Sequence, residues 1–309
     1  MIRKAVTITL YSVLGLFVGY AVLFSIAATV ALVWGISYVG RPVRDVRKLI
    51  ASAPAETRYM QSCRRELAAA GSPDTLVHRF VPFDSISPHL KNAVLAAEDD
   101  GFYSHPGFDI AAILSAVEYN RRSNDRRRGA STLTQQLAKN LFLSGEKSYD
   151  RKYRELAYAV LMEHFLGKDR IFELYLNYAQ WGKNVFGCEA AARTYYKKSC
   201  GKLSLGEAAH LAATLAMPER LSPHTVNSTF MAKRITVIAN NLYRRRRLDD
   251  SAYTMLSGQP PPDTGADTSI TAQPDAGTRI TPPADDSSSA GERRPGRFPA
   301  RRSGDRNTY

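Results

Sequence analysis

Three stretches of this chain hold side chains whose types and spacing could do chemistry. In the first, Glu98, Asp99 and Asp100 follow the apolar run Ala93-Val94-Leu95-Ala96-Ala97 and lead into Phe102, His105, Gly107 and Asp109. A carboxylate at the end of such a run is partly withdrawn from water, which makes it a better proton acceptor than a hydrated one. On composition alone the stretch reads more simply as a solvated acidic turn with His105 packed. In the second, Gly129–Asn140, the residues Ser131, Gln135 and Lys139 are spaced by four, which places them on one helix face. Hydroxyl, amide and ammonium on one face suit sugar hydroxyls and a phosphate. The plain alternative is a polar solvated face with Ser131 as the N-cap. In the third, Arg151, Lys152 and Glu155 lead a helix-like segment. By itself the Arg151–Glu155 spacing describes a surface ion pair worth about a few tenths of a kcal/mol.

The elements that must position these residues are mostly helical. Apolar residues recur at three- and four-residue spacing in 108–119, 153–166, 171–178, 205–217 and 230–242. No comparable set of alternating strands is present, and at most a short hairpin or two fits between the helices. Ahead of them, Ala5–Gly40 carries no charged side chain. As a helix it is about 54 Å long, against about 30 Å of bilayer hydrocarbon. A cleaved signal peptide has a shorter apolar region, so one retained transmembrane helix is expected. Arg3 and Lys4 precede it and Arg41, Arg44, Arg47 and Lys48 follow it. Taken literally, that flanking charge puts the bulk of the chain in the cytoplasm, but long domains translocate regardless of it.

The 309 residues hold 42 Lys+Arg against 29 Asp+Glu. Residues 257–309 are neutral, so the whole excess of +13 lies before them. The excess implies an anionic partner: nucleic acid, acidic headgroups and pyrophosphate all fit. A chain 44% hydrophobic buries a core, which excludes global disorder. The tail is different: it holds eight of the sixteen prolines and six of the twenty glycines, and reads as disordered. Cys63, Cys188 and Cys200 form no CxxC pair, which argues against zinc or thioredoxin-type chemistry. Three free thiols are the simpler reading, with a Cys188–Cys200 bridge as the alternative. Ser144-Gly145-Glu146-Lys147 fits the SxxK pattern of acyl enzymes, but the chain has no KTG element, so the match reads as chance.

In this order the three stretches resemble the glycosyltransferase family 51 domain of bacterial cell-wall synthesis. Its EDxxFxxHxGxD motif is filled by Glu98, Asp99, Phe102, His105, Gly107 and Asp109, its GxSTxTQQxxKN motif by Gly129–Asn140, and its RKxxE motif by Arg151, Lys152 and Glu155. Further matches run through Tyr175-Leu176-Asn177, Phe186-Gly187 and Glu207-Ala208-Ala209, so the resemblance covers about 78–245. Without a transpeptidase segment, the chain resembles the monofunctional type. The fold this implies is mainly α, a lysozyme-like two-lobed domain behind one N-terminal transmembrane helix. The divisions are 1–44, a short cytoplasmic end and anchor; 45–77, a stalk; 78–250, the glycosyltransferase domain; and 251–309, the disordered tail.

The resemblance also implies an activity: polymerisation of lipid II into β-1,4-linked glycan, with inversion and release of undecaprenyl pyrophosphate. In this reading Glu98 is the general base, and Glu155 positions basic groups and substrate. Lys139, Lys147 and Arg151 meet the pyrophosphate. Ser131, Gln135 and Gln136 hold sugar or phosphate oxygens, while His105 and Asp109 shape the Glu98 loop. Lys147 stands where relatives can have Arg, which keeps the charge and loses a bidentate grip. No cofactor is required; a divalent cation, Mg2+ or Mn2+, beside Glu155 is the one metal the resemblance leaves room for. The run Arg121–Arg128 is expected to be a mobile basic loop or a plain solvated linker. The expected location is the inner membrane, single-pass, with the catalytic domain on the periplasmic side. Expected partners are lipid II, the growing strand, the membrane, and cell-division or elongation proteins. A nucleic-acid partner is not expected, since no groove-reading or stacking motif is present. A lytic enzyme of the same fold type would not need the cations, and an inactive scaffold would not need both glutamates.

Overall fold

The computed structural model describes residues 2–122, 129–143, 149–225 and 228–262. The expected basic loop after Arg122, the SxxK match with Lys147, and the tail beyond 262 lie outside the described residues. The fold is mainly α, as expected. Helix α1 (Ile2–Ala51) contains the apolar stretch Leu10–Val33, with a mean hydropathy of 2.3 and no burial inside the protein. It is long and apolar enough to cross a membrane.

The same helix continues, charged, toward the domain. There Val46 and Leu49 are buried in the core, as is Met60 of α2 (Arg58–Ala69). The segment expected as a helical stalk is helical up to Ala51 and again over Arg58–Ala69, and it packs against the domain through Val46, Leu49 and Met60. Its apolar residues are sparse in sequence but fall on the inward side of their helices. Residues 251–257, expected to belong to the disordered tail, are helical. Helix α11 (Asp250–Ser257) is capped by Asp249 and Gly258 and buries Tyr253 against α10 (Thr229–Arg244).

The core is built on α3 (Pro88–Glu98). Ser87 caps it by accepting from the His89 N–H, and Pro88 sits at its first position, where a missing N–H costs nothing. Leu90, Ala93, Val94 and Ala97 form an inward stripe against α9 (Leu205–Thr214) and α10. Helix α9 brings alanines to that contact, Ala208, Ala209, Ala212 and Ala213, which lets the backbones approach closely. A second layer joins α5 (Leu133–Phe142) to α6 (Tyr149–Leu166) and α7 (Lys168–Tyr178). Helix α4 (Ile110–Arg122) is thinly held, with only Ala112 and Ala116 buried.

Among the described residues the strand content is one small sheet. β1 (Val77–His78) runs parallel to β3 (Val185–Phe186), which pairs antiparallel with β2 (Gln180–Gly182). Asn177 ties α7 to this edge: its Oδ1 accepts from the Val81 N–H at 2.8 Å and its Nδ2 donates to the Val81 carbonyl at 3.0 Å. Helix α8 (Cys188–Tyr196) follows. All three cysteines are free thiols; Cys188 and Cys200 are buried, and burial beside Cys200 pushes the Cys188 thiol well above its ordinary value.

Candidate functional site

Helix α3 ends at Glu98, and its carboxylate is held from both sides. Arg234 of α10 donates through Nη2 to Oε1 at 2.8 Å and to the Ala97 carbonyl at 3.0 Å. Gln136 of α5 donates to Oε2 at 3.1 Å, and its own carbonyl accepts from the Tyr175 hydroxyl at 3.3 Å. The side chains of Glu98 and Arg234 are 2% and 1% exposed. Such a buried pair costs several kcal/mol of desolvation per ion, which the Gln136 amide on the second carboxylate oxygen and the Ala97 carbonyl on the guanidinium help to offset.

The next residue, Asp99, organises the turn. Gly107 donates its N–H to His105 Nδ1 at 3.2 Å, which leaves Nε2 to donate to Asp99 at 2.9 Å. Asp99 also accepts from the Leu133 N–H at 2.9 Å, satisfying a free donor at the start of α5. Asp109 accepts from the Ala112 N–H and so starts α4. A second network clamps the same turn. Lys168 donates to the His105 carbonyl at 2.6 Å and to Glu163 at 2.8 Å, and Glu163 accepts from Thr134 at 2.6 Å.

The expectation for the second stretch needs correcting. The N-cap of α5 is Thr132, not Ser131. Thr132 accepts from the Gln135 N–H and donates its hydroxyl to the Gly107 carbonyl at 2.7 Å. Gln135 completes the capping box by accepting from the Thr132 N–H, so its amide is buried in the helix end rather than turned to a ligand. Ser131 lies before the helix, and the face of Ser131, Gln135 and Lys139 expected from spacing does not form.

Ser131 belongs to the third stretch instead. Lys152 bridges it to Glu155, with Nζ 3.2 Å from Ser131 Oγ and 2.5 Å from Glu155 Oε1. Arg151 donates to the other oxygen of Glu155 at 3.1 Å. Glu155 is thus a buried carboxylate between two cations, one of them half exposed. This set does not fit a divalent cation, because Arg151 and Lys152 already compensate the Glu155 charge and would repel a third cation. Among the described residues no group of three or more His, Cys, Asp or Glu could hold a metal.

Two hollows flank the Glu98–Gln136 bond. One, about 240 Å³, is lined by Glu98, Asp99, Ser131, Thr132 and Arg244 among others. The other, about 400 Å³, is lined by Gln136, Lys139, Asn140, Tyr175 and Arg220 among others. The structure therefore brings Glu98 and Gln136 together, groups Ser131 with Arg151 and Glu155, and sets exposed Lys139 in the second hollow. Gln135 is apart from all of these.

Arg234, Lys152 and Tyr175 join the site beyond the residues expected from the sequence. Arg234 did leave a signal: it interrupts the inward stripe Met231, Ile235, Ile238 and Leu242 of α10, where a charge demands a buried partner.

A family model described as Transglycosylase matches residues 65–243. The chain is 49% identical over 168 residues to the biosynthetic peptidoglycan transglycosylase of Cupriavidus pinatubonensis, covering 54% of this chain and 67% of the relative. It is 45% identical over 194 residues to the protein of that name from Ralstonia nicotianae, covering 61% and 82%. The Bordetella pertussis protein of the same name is 47% identical over 186 residues, covering 58% and 76%. The matched stretch contains the Glu98 turn, the Glu155 cations and the buried arginine of α10, and on that match the chain belongs to the transglycosylase family.

Proposed function

We propose that this peptidoglycan glycosyltransferase polymerises lipid II into β-1,4-linked strands on the periplasmic side of the inner membrane, with Glu98 as general base. The 4-hydroxyl of an incoming GlcNAc attacks the anomeric carbon of the strand's terminal MurNAc. The new bond forms from the hydroxyl oxygen, whose proton passes to the Glu98 carboxylate. The bond to phosphate breaks with its electron pair, and undecaprenyl pyrophosphate leaves from the opposite face, which inverts the centre.

The observation that carries this reading is the Glu98 carboxylate, buried and fixed at both oxygens between two hollows. Arg234 and Gln136 hold it in place, and each oxygen retains a lone pair for the incoming proton. Lys139, Arg151 and Lys152 supply cations for the charge that develops on the pyrophosphate, with Glu155 holding the latter two in place. Lys147 joins them in this reading.

The test is polymer formation from fluorescent lipid II by the full-length protein in detergent. Muramidase-sensitive polymer from the parent and none from Glu98→Gln supports the assignment. A Glu98→Gln protein as active as the parent would falsify it.

A further inference from the structure

Two of the three thiols are packed together where neither faces water. Cys188 opens α8, Cys200 opens the short turn Cys200–Lys202 that follows it, and both are fully buried. The Cys188 side chain is within hydrogen-bonding reach of Cys200. The backbone enforces the meeting. Glu189, the residue after Cys188, accepts from the Cys200 N–H at 2.8 Å and from the Ser199 hydroxyl at 3.1 Å. Ser199 in turn caps the turn by accepting from the Gly201 N–H. The turn has no room to shift, since a Cβ added to Gly201 would lie 2.5 Å from the Ser85 carbonyl.

A single buried cysteine is a small apolar side chain and nothing more. Two in contact are different, because their sulfurs are placed to share one bond. The structure holds the pair reduced. In the folded domain it is inert: burial and the contact with Cys200 keep the proton on Cys188, and a protonated thiol is a poor nucleophile. Exchange therefore belongs to folding, before α8 and the turn close over the sulfurs. Cys63, half-buried on α2, meets the Tyr59 hydroxyl instead.

We propose that Cys188 and Cys200 are joined by a disulfide as the domain folds on the periplasmic side, while Cys63 stays a thiol. The bridge rests on the periplasmic placement proposed above, since disulfides form and persist in oxidising compartments. One cysteine, as thiolate, attacks a disulfide-bearing oxidant of that compartment and gives a mixed disulfide. The other, also deprotonated, attacks the first cysteine's sulfur, and the oxidant leaves as a dithiol. The two cysteines lose two electrons and two protons, and the oxidant's disulfide gains them. The new bond ties the start of α8 to the turn behind it, a covalent link beside the hydrogen-bonded one that Glu189 supplies. Closing that loop restricts the unfolded chain and so stabilises the fold.

The experiment takes the full-length chain from bacterial membranes, denatures it in excess maleimide without reductant, and counts adducts by mass. One adduct, on Cys63, is expected, together with a tryptic peptide pair held by Cys188 and Cys200; after reduction all three cysteines should react. The side of the membrane is read separately, with an impermeant maleimide on spheroplasts making the chain with Cys63→Ser and Ser72→Cys, the latter at an exposed position. Labelling from outside, with three adducts on the unreduced parent, overturns the bridge and leaves the placement standing. No labelling until the cells are lysed overturns the placement, and the bridge with it. As a second readout, reductant should lower the parent's melting temperature in detergent by several degrees and leave Cys188→Ala with Cys200→Ala unmoved. A parent that melts alike with and without reductant overturns the bridge as a support of the fold.

Discussion

Glu98 and Arg234 are 136 positions apart and bonded at 2.8 Å with almost no exposure, so neither side chain has an independent role. Removing one charge strands the other. Arg234→Met should lower unfolding free energy by about 3–5 kcal/mol, measured by denaturant titration in detergent. Arg234→Lys keeps the charge and loses the simultaneous grip on Glu98 and the Ala97 carbonyl. It should fold, bind lipid II with nearly the parent KM, and show a reduced kcat; an unchanged kcat would remove Arg234 from the positioning of Glu98. Lys152→Ala leaves Glu155 with Arg151 alone and frees Ser131. Polymerisation should slow while the melting temperature barely moves, since Lys152 is half exposed. The motif residues were legible because their chemistry is local. Arg234 was hidden because its partner lies across the fold, and only its misfit on an apolar stripe pointed to it. Ser131 and Thr132 illustrate a different limit: adjacent hydroxyl residues cap equally well on paper, and the Gly107 carbonyl selects Thr132.

Between elements, the turn after α3 is clamped by contacts that tolerate little added volume. Gly107 has φ +90°, and a Cβ there would meet Glu163 Cγ at 2.8 Å. Gly107→Ala should therefore push Glu163 from Lys168 and Thr134, loosening the Glu98 turn. Activity should fall more than stability does, read by lipid II turnover against thermal melting. A different carboxylate holds α8 to the turn after it. Burial raises the affinity of Glu189 for its proton, but the Cys200 N–H, the Arg193 guanidinium and the Ser199 hydroxyl outweigh it and hold the group below its ordinary value. A carboxyl lowered in the folded state stabilises above its unfolded value and loses that effect as pH falls through the folded one. Glu189→Gln should thus be less stable than the parent at neutral pH, with the gap closing below about pH 4.5 in denaturant titrations. The helices themselves were legible from apolar spacing. The small sheet was not, because strands of two or three residues leave no alternation to count.

For the molecule as a whole, anchor and domain share one helix. A chain begun at Arg41 keeps Val46 and Leu49 in the core, and one begun at Glu56 loses both. The shorter chain should be less stable by about 3–6 kcal/mol, at roughly 1.5–3 kcal/mol for each buried side chain, as differential calorimetry in detergent would show. Equal melting of the two chains would mean that the end of α1 is only a spacer. The division into anchor, stalk and domain read from composition missed this continuity. Composition registers where charge begins, and Val46 and Leu49 sit in a stretch dominated by Arg44, Arg47 and Lys48. The Glu98–Gln136 bond, finally, has a kinetic signature. It separates the hollow that holds Lys139 from the one that holds Ser131. An inhibitor confined to one side is outcompeted by one of the two lipid-linked reactants and is indifferent to the concentration of the other. An inhibitor competitive with both must reach across Gln136, and its affinity should change sharply when that amide is altered.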